Sequence, residues 1–359
     1  MNQAKTMSGA MEGAGAYNRH STPQAGGAAI ALPCLQDAVA SAVLEPDDQP
    51  VVIAEYGSSQ GKNSQAPMRV AIAAVRARVG PDRPILVYHE DLPVNDFNSL
   101  FELLESDPGR YVRDDPLIYP CAIGRSFYDS VLPPAYVHLG WSAYAAVWLS
   151  RVPVPIAGHI FLPCTTGAAN AAFREQAARD WETFLALRAR ELRPGGRLVV
   201  VLPGADDDGR TGLEALMNHA NDALTQMTCE GAITTDERAR MVLATFARPV
   251  HDLLAPFASN GQFCNLVVEH CECVAQPDDI WDEYQRHQDR ACMASRYAAF
   301  HRATFMPSLL LALSRPGDEP RKRTLSDRFE QLLRQRLIAA PARLDAMVET
   351  LVFARDGAR

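Results

Sequence analysis

The stretch Val51-Val-Ile-Ala-Glu-Tyr-Gly-Ser-Ser-Gln-Gly-Lys-Asn-Ser64 constrains this chain more than any other. A short apolar, β-branched run reads as a buried strand. It ends at Glu55 and two glycines, Gly57 and Gly61, and Met68, Ile72, Val75 and Val79 then recur at helical spacing. Strand, glycine turn and helix form the first crossover of an open α/β sheet, and such sheets bind ligands at the carboxyl ends of their strands. Gly57-x-x-x-Gly61-Lys62 is one residue short of a phosphate-cradling P-loop and has Asn63 where that loop needs a hydroxyl for magnesium. Gly57-Ser58-Ser59-Gln60-Gly61 fits the nucleophile elbow of serine hydrolases, with Ser59 as nucleophile. Only about 50 residues precede it, however, too few for the strands and oxyanion loop of that fold. A plain structural turn and a turn at an adenosine-containing cofactor both remain open on this motif alone.

The next strand, Pro84-Ile-Leu-Val-Tyr-His-Glu-Asp91, is apolar and ends in acids. A carboxylate at the tip of the second strand is placed to accept both ribose hydroxyls of a nucleoside. The acid follows Gly61 by roughly 30 residues, longer than the spacing of about 20 in dinucleotide folds. No G-x-G-x-x-G turn occurs, which favours S-adenosylmethionine over NAD.

A chain of 359 residues can bury a full core. Its net charge of −8, with no long basic run, argues against nucleic-acid and anionic-membrane partners. The 8 cysteines are scattered, which reads as reduced thiols in a cytoplasmic protein. Cys271-x-Cys273 with His270 and Cys264 invites a zinc reading, but alternation puts both cysteines on one strand face and no second pair is present. No metal is expected. Residues 1–10 read as a loose leader without a signal peptide, and no apolar run is long enough for a membrane helix. Residues 11–24 read as a linker when taken alone.

Further on, Asp96 is placed to cap a helix whose apolar stripe is Phe97, Leu100, Phe101 and Leu104. Residues 118–123 and 135–138 read as a third and fourth strand, and 141–150 as the opening of a helix. A helix over 181–192 stops at Arg193-Pro-Gly-Gly-Arg197, before a central strand over 198–202. Asp206-Asp-Asp-Gly209 reads as a solvated turn. Helices are expected over 213–227, 235–241, 251–257, 291–313 and 325–339, and strands over 263–274 and 347–354.

The order of several motifs resembles the SABATH methyltransferases, the plant-type carboxyl and xanthine methylating enzymes. Met11-x-Gly13, Tyr17 and Ser21-x-x-Gln24 are similar to the family's opening. The segment Ala54 to Asn63 is similar to its glycine turn, and Asp91-Leu-Pro-x-Asn-Asp-Phe-Asn98 to its second motif. Ser126-Phe-Tyr128, Trp148-Leu-Ser-x-Val-Pro153, Glu191-Leu-x-Pro-Gly-Gly-Arg197, Glu230-Gly-x-Ile233 and Gly261-x-Phe263 also fit, in order. The resemblance implies a Rossmann-like class I methyltransferase sheet, α/β, with an α-helical cap over the substrate pocket. Residues 11–205 would form the first part of the cofactor-binding core. Residues 206–262 would form the helical cap, and 263–359 would return to core strands with further cap helices.

It also implies site residues. Ser21, Gly57 and Asn63 would line the methionine and ribose side of S-adenosylmethionine. Asp91 would hold the ribose hydroxyls, with Leu92 on one face of the adenine and Ser126 and Phe127 on the other. Gln24 and Trp148 would grip the acceptor carboxylate, and Tyr144, Val147 and Met217 would shape its pocket. Met217 stands where the family has a tryptophan, Val147 where it has Met or His, and Glu55 where it has Asp. His20 replaces an Asn, and Ser58 a Cys. The pocket is therefore not the salicylate pocket. A homodimer is the assembly the resemblance suggests.

Methyl transfer from a sulfonium is an in-line displacement in which the protein supplies placement. A carboxylate, with a pKa of about 4, is ionised at neutral pH, so no general base is required. The reading is a SAM-dependent carboxyl O-methyltransferase acting on a small-molecule acid. N-methylation of a small heterocycle is the alternative chemistry. A Ser59 hydrolase and a catalytically silent cofactor-binding protein are the alternatives in class.

Overall fold

The computed structural model describes residues 9–165, 167–313 and 318–357. The expected leader falls mostly on residues 1–8, outside the described residues. Of its last two positions, Gly9 donates its N–H to Ser308 Oγ at 3.0 Å, so this end of the leader is tied down.

One 8-stranded sheet organises the chain, in the order β3-β2-β1-β4-β5-β8-β7-β6. Its strands are β1 (Val51–Tyr56), β2 (Ile85–Asp91), β3 (Ile118–Gly124), β4 (Val137–Ala143), β5 (Leu192–Pro203), β6 (Gln262–Phe263), β7 (Leu266–Ala275) and β8 (Met347–Arg355). The first five run parallel, and β8 enters antiparallel to β5. From β1 the chain steps outward through β2 to β3, then returns to place β4 on the other side of β1. The order therefore reverses between β1 and β4, which opens a crevice at their carboxyl ends.

Every residue of β1 is buried because both faces are covered. Val51 and Ile53 face one layer with Ile85, Val87, Val199 and Val201. Val52, Ala54 and Tyr56 face the other with Leu198, Val200 and Leu202. Helices α1 (Ala16–His20), α2 (Thr22–Ile30), α3 (Leu32–Ser41), α4 (Gln65–Val79) and α5 (Phe97–Ser106) precede β3. Leu35 and Val39 of α3, Met68, Ile72 and Val75 of α4, and Leu100 and Leu104 of α5 fill the first layer. Asp96 caps α5 as expected, accepting the Ser99 N–H at 3.1 Å. The opposite layer receives α6 (Ala169–Glu191), whose Trp181, Phe184 and Leu185 lie against the sheet.

A second group of helices follows β5: α7 (Glu214–Cys229), α8 (Thr235–Arg240), α9 (Val250–Leu254), α10 (Asp279–His287), α11 (Arg290–Leu310) and α12 (Glu319–Ala339). α12 packs on both α11 and α7. Asp278, Asp289 and Asp318 cap α10, α11 and α12 with side-chain oxygens. No described helix is long and apolar enough to cross a membrane.

Several expectations need correction. Residues 141–150 do not open a helix. Trp141 is buried inside β4, which runs to Ala143, and an irregular segment follows with Tyr144 at φ 59°. Aromatic and small residues in a strand buried on both faces show no alternation, so the pattern imitates a helix. The strand over 263–274 is a hairpin, turned at Cys264 and Asn265, whose φ values of 49° and 66° suit a two-residue turn. Of residues 11–24, which read as a linker when taken alone, 16–20 form α1 and 22–24 open α2. The helix expected over 181–192 begins at Ala169, and β5 starts directly after it at Leu192. Asp206 and Asp208 lie on the surface, paired with Arg210. Among the described residues, no group of three or more His, Cys, Asp or Glu is placed to hold a metal ion.

Candidate active site

Two cavities meet at the crevice between β1 and β4. The first is a cleft of about 710 Å³ at the strand ends, within the size range of small-molecule sites. Gly57, Asp91, Leu92, Ser126 and Phe127 all line it. Asp91 is the last residue of β2. Its Oδ2 accepts the Ser59 N–H and its Oδ1 the Leu92 N–H, each at 2.7 Å. Each carboxylate oxygen keeps a lone pair for a further donor in the cleft. Burial pushes the Asp91 carboxyl up to about 6, against the pull of these two N–H groups. Gly57 sits at φ 88°, and a Cβ there would come within 2.2 Å of the Ala145 Cβ, so the turn requires glycine. Its N–H donates to Glu90. Burial holds Glu90 protonated well above the usual carboxylate range.

Ser21 and Asn63 are brought together: Asn63 Nδ2 donates to Ser21 Oγ at 3.1 Å. Neither lines the cleft wall, whereas Tyr17 does. Glu55 turns away from the cleft. Its Oε2 lies 2.6 Å from His89 Nδ1, and His89 Nε2 lies 2.7 Å from the Tyr111 hydroxyl. Ser59 adopts φ 48°, as a nucleophile on a tight turn would, but its buried Oγ has no hydrogen-bond partner. No histidine is therefore in place to activate it, which removes the basis of the hydrolase reading.

The second cavity is narrower and mainly apolar, enclosed by the irregular segment after β4, by α2 and by the helices that follow β5. Gln24, Tyr144, Val147 and Trp148 line it. Met217 does not: it is fully buried in the core, and the wall position nearby is Leu213, just before α7. Gln24 Nε2 donates to Thr304 Oγ1 at 3.1 Å, which leaves Oε1 buried without a partner. The Tyr144 hydroxyl donates to Gln276 Oε1 at 2.7 Å, and Gln276 Nε2 donates to the Pro23 carbonyl at 2.7 Å.

Four residues line both cavities: Met11, Tyr17, Tyr144 and Trp148. They form the partition between cleft and chamber. Sequence reasoning gave no role to Met11 or Tyr17, although both lie in the opening motif. Two buried arginines that no sequence pattern marks hold this architecture from behind. Arg188 Nη1 donates to the Phe127 carbonyl at 2.7 Å while its other nitrogens grip Glu191. Arg248 donates to the Ala146 and Ala177 carbonyls. The Tyr128 hydroxyl donates to the Trp148 carbonyl at 2.6 Å.

The strand order and a carboxylate-bearing cleft at its reversal point define a protein of the nucleoside-cofactor-binding, methyltransferase-type α/β class. The chain belongs to the SAM-dependent carboxyl methyltransferase family, whose model matches residues 2–350. It is 30% identical over 248 residues to methyltransferase FUS9 of Gibberella moniliformis, a match spanning 68% of this chain and 65% of that protein. Salicylate carboxymethyltransferase of Clarkia breweri is 28% identical over 236 residues, covering 62% of this chain and 63% of that protein. The match thus spans just under two-thirds of the length of these curated relatives. The solved structure of loganic acid methyltransferase with SAH has the same fold, with a TM-score of 0.78 at 24% identity, over 97% of this chain and 99% of that one.

Proposed function

We propose that this protein transfers the methyl group of S-adenosylmethionine to the carboxylate of a small-molecule acid, giving a methyl ester. The observation that supports this best is the meeting of a carboxylate-bearing cleft and a more apolar chamber across one partition of Tyr17, Tyr144, Trp148 and Met11. The residues of the cleft fit the cofactor. A buried carboxylate with free lone pairs stands at the tip of β2. Apolar Leu92, aromatic Phe127 and Ser126 all line the cleft, a set of side chains that suits a purine. The cofactor supplies an electrophilic methyl on a sulfonium.

In this reading Asp91 accepts the ribose hydroxyls, and Gly57 lets the backbone approach closely. Ser21 and Asn63 serve the methionine side, where Tyr17 lines the cleft. Trp148 offers its indole N–H to the acceptor carboxylate. Gln24 does the same once its amide is turned by half a rotation, an isosteric change. The Thr304 hydroxyl then donates to Oε1, and Nε2 faces the chamber. Both groups hold an anion without protonating it, and the carboxylate needs no base at neutral pH. The apolar remainder of the wall excludes water from the reacting oxygen. Residues 206–262 act in this proposal as part of the cap, and a cytoplasmic homodimer is the working form.

The test is methyl transfer from labelled S-adenosylmethionine to a panel of small acids and nitrogen heterocycles. Base-labile label in an ester supports the proposal. Label only on ring nitrogens would replace it with N-methylation, and none on any acceptor would favour a silent cofactor-binding role. Light scattering on the pure protein checks the dimer.

A further inference from the structure

Most polar groups of the chamber are already occupied by one another. Tyr144 and Gln276 are bonded together, and Gln276 also holds Pro23. Asp278 accepts the Tyr297 hydroxyl and the N–H groups of Trp281 and Leu344. Thr211 donates its hydroxyl to Glu214 and receives the Leu213 N–H. Among the described residues, two polar atoms of the wall remain buried without a partner: Gln24 Oε1 and Thr245 Oγ1. The half-rotation described above satisfies the first from within the protein. Nothing among the described residues satisfies the second, and Thr245 is only 6% exposed.

The position of Thr245 is well defined. It pairs with Trp148 in an isolated antiparallel bridge. The flanking bonds run from the Leu149 N–H to the Ala244 carbonyl at 2.7 Å and from the Phe246 N–H to the Val147 carbonyl at 3.0 Å. That pattern makes Trp148 and Thr245 a non-hydrogen-bonded pair, the arrangement that brings opposed side chains closest, on the same face. Thr245 therefore stands beside Trp148 on the chamber wall, with its hydroxyl buried. An orphaned hydroxyl in such a place is costly unless a ligand atom completes it.

We propose that Thr245 forms a second polar subsite for the acceptor, binding a hydroxyl or carbonyl oxygen close to its carboxyl group. This rests on the functional reading above, which puts the carboxylate at Trp148. The substrate class it names is a small acid, aliphatic or aromatic, substituted with oxygen on a carbon within two or three bonds of the carboxyl carbon. The Thr245 hydroxyl can donate to either kind of oxygen and can also accept from a hydroxyl. Acids lacking that oxygen leave the buried hydroxyl unpaired, and sites built to bond a substrate hydroxyl discriminate strongly against analogues without it.

The experiment compares matched pairs of acids with and without the oxygen, such as benzoate with 2-hydroxybenzoate and phenylacetate with 2-hydroxy-2-phenylacetate. kcat/KM for methyl ester formation is measured with the full chain and labelled S-adenosylmethionine. The wild type is expected to prefer the oxygenated member of at least one pair by about tenfold or more. Thr245→Val removes the hydroxyl at nearly constant shape and is expected to bring that ratio to within about twofold of one, mainly through KM, while Thr245→Ser retains most of the preference. Melting temperatures of both variants report whether the fold is kept. Esters formed with a wild-type ratio near one, or with a ratio that Thr245→Val does not move, overturn this inference and leave the methyl-transfer reading standing. No ester from any acid of either series overturns that reading and this inference together.

Discussion

The proposed ribose contact of Asp91 would make cofactor affinity depend on pH in a calculable way. The carboxyl titrates at about 6 in the free protein because burial outweighs its two backbone donors. Accepting two ribose hydroxyls requires the ionised form. With a pKa of about 6, roughly nine-tenths of the protein is competent at pH 7 and roughly one-tenth at pH 5. The apparent affinity for S-adenosylhomocysteine should therefore fall about tenfold over that interval, about 1.4 kcal/mol. The α-carboxyl and α-amino groups of the ligand titrate outside it. Asp91→Asn removes the charge, and it should weaken binding at pH 7 by about 1.5–3 kcal/mol, the scale of hydrogen bonds to charged groups. It should also flatten the pH dependence. Isothermal titration calorimetry of both proteins at pH 5, 6 and 7 (the wild type first) measures each quantity. A wild-type affinity constant across this range, or an Asn variant that binds as tightly as the wild type, would refute the ribose assignment.

Three further perturbations probe the partition and its supports. Gly27→Ala would place a Cβ 1.7 Å from the Tyr144 hydroxyl, so it should displace a ring that lines both cavities, raising the acceptor KM by about tenfold or more and weakening S-adenosylhomocysteine binding measured by calorimetry in the same variant. Arg248→Met strands the buried carbonyls of Ala146 and Ala177, at about 1–3 kcal/mol each, and should lower the chemical-denaturation midpoint and weaken cofactor and acceptor binding together. Glu349 is buried, and burial raises its pKa to about 8 against the pull of the Arg248 charge and the Ala205 N–H. Between about pH 4.5 and 8 the folded state holds a proton that the unfolded state has released, so stability falls as pH rises through this window. Glu349→Gln should therefore raise the melting temperature by a few degrees at pH 8 and much less at pH 5; equal shifts at both pH values would contradict this account.

The cofactor half of the molecule was largely legible in the sequence. β1, its glycine turn and α4 announce themselves through a β-branched run followed by helical spacing, and Asp91 stands at the tip of a second such run. Asp96 was recognisable because capping depends only on neighbours in the chain. The acceptor half was less legible. α2 is built from small residues, with Gly27 chosen to admit the Tyr144 ring, a contact between residues far apart in sequence. The end of β4 was hidden because Trp141 and Ser142 are buried on opposite faces and give no period. Met217 and Leu213 lie four residues apart on either side of the start of α7, and only the packing decides which of them reaches the chamber. Arg188, Arg248 and Glu349 look like ordinary surface charges in the sequence, yet all three are buried.

Because only four of the described residues line both cavities, the two halves of the site can drift apart in evolution or in the laboratory. Recutting Phe161, Leu213, Phe300 or Leu344 would refit the room for one molecule while the seat of the other stays as it is. Changes at Tyr17 or Trp148 offer no such freedom, since each would be felt on both sides at once.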